Sequence, residues 1–118
     1  MSNTNTPDSG RMPEAIELTA YWTIGKALLG WPKSTDEDLH EYQVRMTIGP
    51  EYSTTQESVV GIIGGDGEGT QDGGGNLMLW GTTDGLVNRL DKATFRVYVV
   101  LSNGNEKGSN EVTVTRGA

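Results

Sequence analysis

The residues with the clearest chemical potential lie in one run, GGDGEGTQDGGG, from Gly64 to Gly75, where seven glycines are interleaved with Asp66, Glu68 and Asp72. Three carboxylates on so pliant a backbone could supply several of the roughly six to eight oxygens that calcium takes. Glycine-rich calcium repeats, however, hold their ions between stacked turns, and this chain carries a single copy. The spacing also lacks the bidentate acid that ends an EF-hand loop. The plainer reading is a connection between two edge strands. Asp66, Glu68 and Asp72 are therefore weak metal candidates, and no cofactor or metal is expected.

The lone histidine, His40, lies in an acidic turn, DEDLHEY, and reads as a solvated surface residue. As a base it would need a nucleophile and an orienting partner, and no Ser or Cys stands beside it in a recognisable arrangement. Glycoside hydrolysis would need two carboxylates facing one cleft, whereas the acids here fall mainly in turns. Catalysis is not expected. Among the aromatics, Trp31 reads as core. Trp22 and Trp80, with Tyr21, Tyr52 and Tyr98, could form an exposed face for stacking sugars, although core packing and cross-strand pairs are the simpler use of such residues.

These side chains must be positioned by a small framework. With 118 residues the chain is one domain by size. A net charge of −7 repels polyanions, so neither nucleic acid nor an anionic membrane is an expected partner. No cysteine is present, which excludes disulfides and thiolate metal sites. No apolar run is long enough to span a bilayer, and the opening residues lack the apolar core of a signal peptide.

Residues 1–13 are polar and carry two prolines without periodicity, so they read as an arm that needs an external surface to lie on. Pro7 and Met12 are its candidate partner-binding anchors. From residue 14 to 118 the dominant period is two. In AIELTAYWT, Ile16, Leu18, Ala20 and Trp22 share one face. KALLGW sets Ala27, Leu29 and Trp31 on one face before Pro32. EYQVRMTIGP places Tyr42, Val44, Met46 and Ile48 inward. ESVVGII and NLMLWGT flank the glycine run. TFRVYVVLSN turns Phe95, Val97, Val99 and Leu101 inward with Arg96 and Tyr98 outward, and EVTVT closes with Val112 and Val114. Only STDEDLHEYQ has helical propensity, with Ser34 or Thr35 as a cap, and it is too short to stand alone. About seven short strands with turns between them predict an all-β, two-sheet antiparallel β-sandwich.

The segment LDKATFRVYVVLSNGNEKGSNEVTVT resembles the carboxyl-terminal strands of a fibronectin type III domain. Leu90, Phe95, Val97, Val99, Leu101, Asn103, Gly108 and the Val112–Val114 pair stand at the family's positions. Trp31 before Pro32 resembles the buried Trp of the second strand, and Tyr42 and Val44 match the third. Phe95 replaces the usual Tyr, so the hydroxyl bond of a tyrosine corner cannot form there. The resemblance implies a scaffold without a shared active site.

The resulting expectation is a non-catalytic structural or interaction module. The most specific form of it is a virion component, a phage head-decoration or tail protein made in the host cytoplasm and docked on capsid or tail subunits through strand edges, loops and the arm. Homo-oligomers fit the same reading. The alternative is a carbohydrate-binding or adhesion module of a secreted bacterial protein, extracellular or at the cell surface, with a surface glycan as ligand.

Overall fold

A computed structural model describes residues 10–65, 71–72 and 77–117. The chain is all-β and forms a two-sheet antiparallel sandwich, with no helix among the described residues. In chain order the strands are β1 (Thr19–Thr23), β2 (Lys26–Pro32), β3 (Leu39–Ile48), β4 (Ser58–Gly64), β5 (Gln71–Asp72), β6 (Leu77–Thr82), β7 (Lys92–Leu101), β8 (Glu106–Gly108) and β9 (Val112–Thr115). One sheet runs β1-β2-β6-β5. The other runs β4-β3-β7-β8, with β9 also pairing with β7. Each of the seven segments predicted as strands contains one, the first only from Thr19 onward, and two short strands, β5 and β8, join them.

The alternation sets the core. Trp31, Tyr42, Val44, Phe95, Val97 and Val99 are fully buried between the sheets, while Val112 is partly buried at the margin. Trp31 meets Tyr42 edge-on, with ring centroids 5.6 Å apart, the arrangement that brings a positive ring edge to a negative face. The Tyr42 hydroxyl accepts from the Ser34 N–H at 2.8 Å, and burial pushes its pKa up. The β1–β2 turn has two residues, Ile24 and Gly25, both at positive φ (49° and 78°), as a tight twisted hairpin requires. Ahead of β1, Ile16 and Leu18 are buried. Asn110 secures them, its side-chain carbonyl accepting from the Leu18 N–H and its amide donating to the Leu18 C=O. The strand-like entry of the chain is thereby stitched to the approach to β9.

Four expectations are corrected. STDEDLHEYQ contains no helix: residues 37–38 form a turn and β3 begins at Leu39. The alternation that starts there buries Tyr42 and Val44, and this tertiary gain overrides a weak local propensity. His40 consequently stands exposed on a strand beside Glu41, not in a turn. Ile48 pairs with Ala93 on the core-facing side of β3 but lies beyond the last core layer and is exposed. Tyr98 points outward as expected yet is buried, because the Arg45 guanidinium covers its ring at 3.8 Å.

At the end where β3 begins, residues 11–13 lie against the sandwich. The Arg11 C=O accepts from the side-chain amides of Asn103 and Asn105, and Pro13 is buried. Arg11 also pairs with Asp36 and, at 2.8 Å, with Asp38. Asp36 is almost wholly enclosed, and its carboxylate further accepts from the Glu14 N–H and the Ser34 hydroxyl. Burial pushes this carboxyl up, but the Arg11, Ser34 and Glu14 hydrogen bonds outweigh it and leave the pKa below its ordinary 3.8. A depressed carboxyl stabilises the fold fully above its unfolded-state pKa and loses that contribution as pH falls through the folded value. Asp36→Asn should therefore cost about 2 kcal/mol near neutrality and flatten the acid limb of the stability curve below pH 3.8. Thermal melts of both proteins across that range are the check; parallel acid limbs would refute the latch.

Candidate interaction surface

At the opposite end of the sandwich, where β3 finishes and β7 starts, the chain displays aliphatic side chains to water. A cleft of about 640 Å³ is lined there by Ile48, Gly49, Pro50, Val87, Leu90, Asp91 and Lys92, among others. Ile48 is 73% exposed, Val87 71% and Leu90 57%. Exposed aliphatics are ordinary one at a time; several around one cleft are not.

The loop carrying Val87 and Leu90 is held by its backbone. Asp91 turns its carboxylate onto the N–H groups of Val87 and Asn88 (3.1 and 2.7 Å). Arg116 donates to the carbonyls of Leu86 and Val87, and its guanidinium lies 5.4 Å from the Trp22 ring centre. The Leu90 N–H donates to Arg116 C=O, and the Arg116 N–H donates back to Asp91 C=O. Leu86 plugs the core beneath and is fully buried, whereas Leu90 is exposed. Leu90 sits at φ 70°, a left-handed conformation that costs a branched side chain energy and persists only where surroundings over-determine it. On the other wall, the Gly49 N–H donates to Lys92 C=O while its carbonyl accepts from Thr94, and Gly49 itself has φ 105°. Two walls of fixed backbone thus present apolar tips outward.

The residues singled out in the sequence do not converge. Asp66, Glu68 and Pro7 lie outside the described residues, and only the backbone of Asp72 is placed, in β5. Among the described residues no group of three or more His, Asp or Glu could hold a metal. Met12 is exposed at the end remote from the cleft. The five aromatics considered for sugar stacking are divided. Trp80 faces the interior against Gly61, and Trp22 lies under Arg116. Tyr21 stands exposed on β1. Tyr52 and Tyr98 lie on the far face of the other sheet, covered by Arg96 at 4.8 Å and Arg45 at 3.8 Å. Around these two, Arg45 pairs with Glu57 and Glu106 (3.3 and 2.8 Å), and Arg96 with Glu111 (3.1 Å). The Tyr52 hydroxyl donates to Glu57, and burial together with that bond raises its pKa. Both cations of this face thus pair with its acids, although Arg96 Nε is buried without a hydrogen-bond partner among the described residues. Sequence reasoning missed the Val87–Leu90 wall because GLVNRLD has no period to mark it; Asp91 with its turn-forming neighbours was the available signal.

No protein-family model matches the chain, and no curated protein does. Solved structures do share its fold. Pectate lyase PelI from Erwinia chrysanthemi is similar with a TM-score of 0.62 at 16% identity, over 85% of this chain and 27% of that one. Pectate lyase Pel3 from Pectobacterium carotovorum gives 0.62 at 11% identity, over 85% and 27%. The Clostridium perfringens spore cortex lytic enzyme SleM gives 0.61 at 15% identity, over 95% and 31%. This chain therefore spans less than a third of each of those proteins, and at such identities the likeness is one of fold.

Proposed function

We propose that this chain is a non-catalytic, fibronectin type III-like interaction module that docks on a larger protein assembly through the cleft between Ile48 and the Val87–Leu90 loop. The observation that carries this reading is the rigid display of aliphatics. A loop already fixed by Asp91 and Arg116 loses little conformational freedom on binding, so its apolar tips contribute nearly their full burial. Lys92 lines the cleft and Arg89 is exposed in the same loop, while the Asp91 carboxylate is engaged with backbone amides. The complementary surface is apolar with an acidic rim. Capsid or tail subunits of a virion are the class of partner we put forward. A glycan fits less well, since no two of Trp22, Trp80 and Tyr21 share a surface with the Tyr52–Tyr98 pair.

The test is cosedimentation with particles assembled from recombinant capsid or tail subunits. Wild-type protein should pellet with the particles, and Val87→Lys with Leu90→Asn should lower the bound fraction at least about tenfold while changing stability by less than about 1 kcal/mol. Equal pelleting of the variant, or none of the wild type, would refute the reading.

A further inference from the structure

The free edge of β4 has the composition and geometry of a pairing surface. β4 is terminal in its sheet, with β3 on one side and no strand on the other among the described residues. Its sequence, SVVGIIG, carries no charge and no proline in a chain of net charge −7. Natural edge strands are usually blunted by Lys, Pro, inward-turned charge or a β-bulge; β4 carries only the last, the register shift that leaves Val60 without a partner on β3. Val59 and Ile62 both lie on the outer face, 49% and 64% exposed.

The backbone follows. The Gly65 N–H donates to His40 C=O, and Tyr42 pairs with Ile63 and Val44 with Gly61. In an antiparallel ladder, bonded and non-bonded pairs alternate, so Gly61 and Ile63 turn their backbone groups to β3 and Ile62 turns its own to the open edge. Past the register shift at Val44/Arg45, Val59 faces Arg45 and is again in the outward-turned phase.

We propose that β4 pairs antiparallel with β4 of a second copy about a twofold axis, joining two sandwiches through one continuous sheet. The register that sets Val59 opposite Ile62 meets every requirement at once. Both residues direct N–H and C=O groups to the edge, both lie on the outer face, and the symmetry repeats the pair. Val59 and Ile62 of one copy then form a four-residue apolar ladder with their mates, the kind of cross-strand contact that stabilises sheets. The occupant is a second copy because the strand is complementary to itself in this register. A neutral apolar edge is also the part of a strongly acidic surface where two copies repel least. Such an isologous contact closes on itself as a dimer.

The test is analytical ultracentrifugation of the full chain across micromolar to millimolar concentrations. Wild type should show a reversible monomer–dimer equilibrium. Ile62→Pro removes a donor that points to the edge, a place where proline is tolerated, and Ile62→Lys sets like charges across the axis. Each should weaken dimerisation at least about tenfold with the melting temperature of the monomer nearly unchanged. Since the chain lacks cysteine, Val59→Cys mixed with Ile62→Cys should form a disulfide between the two variants faster than either alone. A wild type monomeric throughout, a dimer indifferent to Ile62→Lys, or no preference for the mixed disulfide would overturn the proposal. If Ile62→Pro unfolds, the lysine variant and the cysteine pair still decide it.

Discussion

Replacing Trp31 with alanine should remove about 3–5 kcal/mol of stability, the largest loss expected from any single truncation in this chain. Trp31 is fully enclosed and faces Tyr42 across the core, so the change empties a volume bordered by rigid strands on both sides. Neither β2, held between β1 and β6, nor β3, held between β4 and β7, can move in to fill it. The marginal stability of a domain this size, about 5–15 kcal/mol, leaves little reserve after such a loss. Urea denaturation followed by tyrosine and tryptophan fluorescence gives the number directly. A midpoint within error of wild type would mean that Trp31 is not at the centre of the fold. Trp31→Phe, which keeps most of the volume, should cost visibly less than alanine.

The second large effect comes from adding atoms. At Gly61 a Cβ would stand 2.6 Å from the Trp80 ring. Trp80 projects from β6 across the gap between the sheets toward β4, and Gly61 is where the backbone leaves room for it. A valine there must push aside an indole, which has no flexible tip to yield. Gly61→Val should therefore cost about 3 kcal/mol, at the upper end for overpacking. The same valine in a Trp80→Leu background should cost much less, because the colliding ring is gone. If the two substitutions simply add, the contact is not what constrains Gly61.

How far the sequence prefigures all this depends on which interactions are local. The period-two runs around Trp31, Tyr42 and Val97 mark strands because burial on one face imposes that period whatever the strand partners are. The same logic misplaces Ile48, whose spacing is right but which lies one step past the end of the opposing layer; where a core stops is a tertiary property. The acidic stretch before Tyr42 carries helical propensity only until Asp36 finds Arg11, a partner 25 residues away. Tyr98 reads as an outward residue, and nothing local tells that Arg45, on another strand, will roof it. Of the interaction surface almost nothing is legible. Val87 and Leu90 are exposed because Leu86 and Arg116 fix the backbone beneath them, and that depends on contacts spanning 29 and 30 residues.

The Arg11–Asp36 latch also sets a length. It fastens the incoming chain at the end where β3 begins, whereas the aliphatic cleft lies where β3 finishes. Ten strand residues separate the two, about 30 Å at the rise of an extended chain. Arg11 itself is thereby held at the far end of β3 from the cleft. Between these two points the domain is a strut whose length is set by β3.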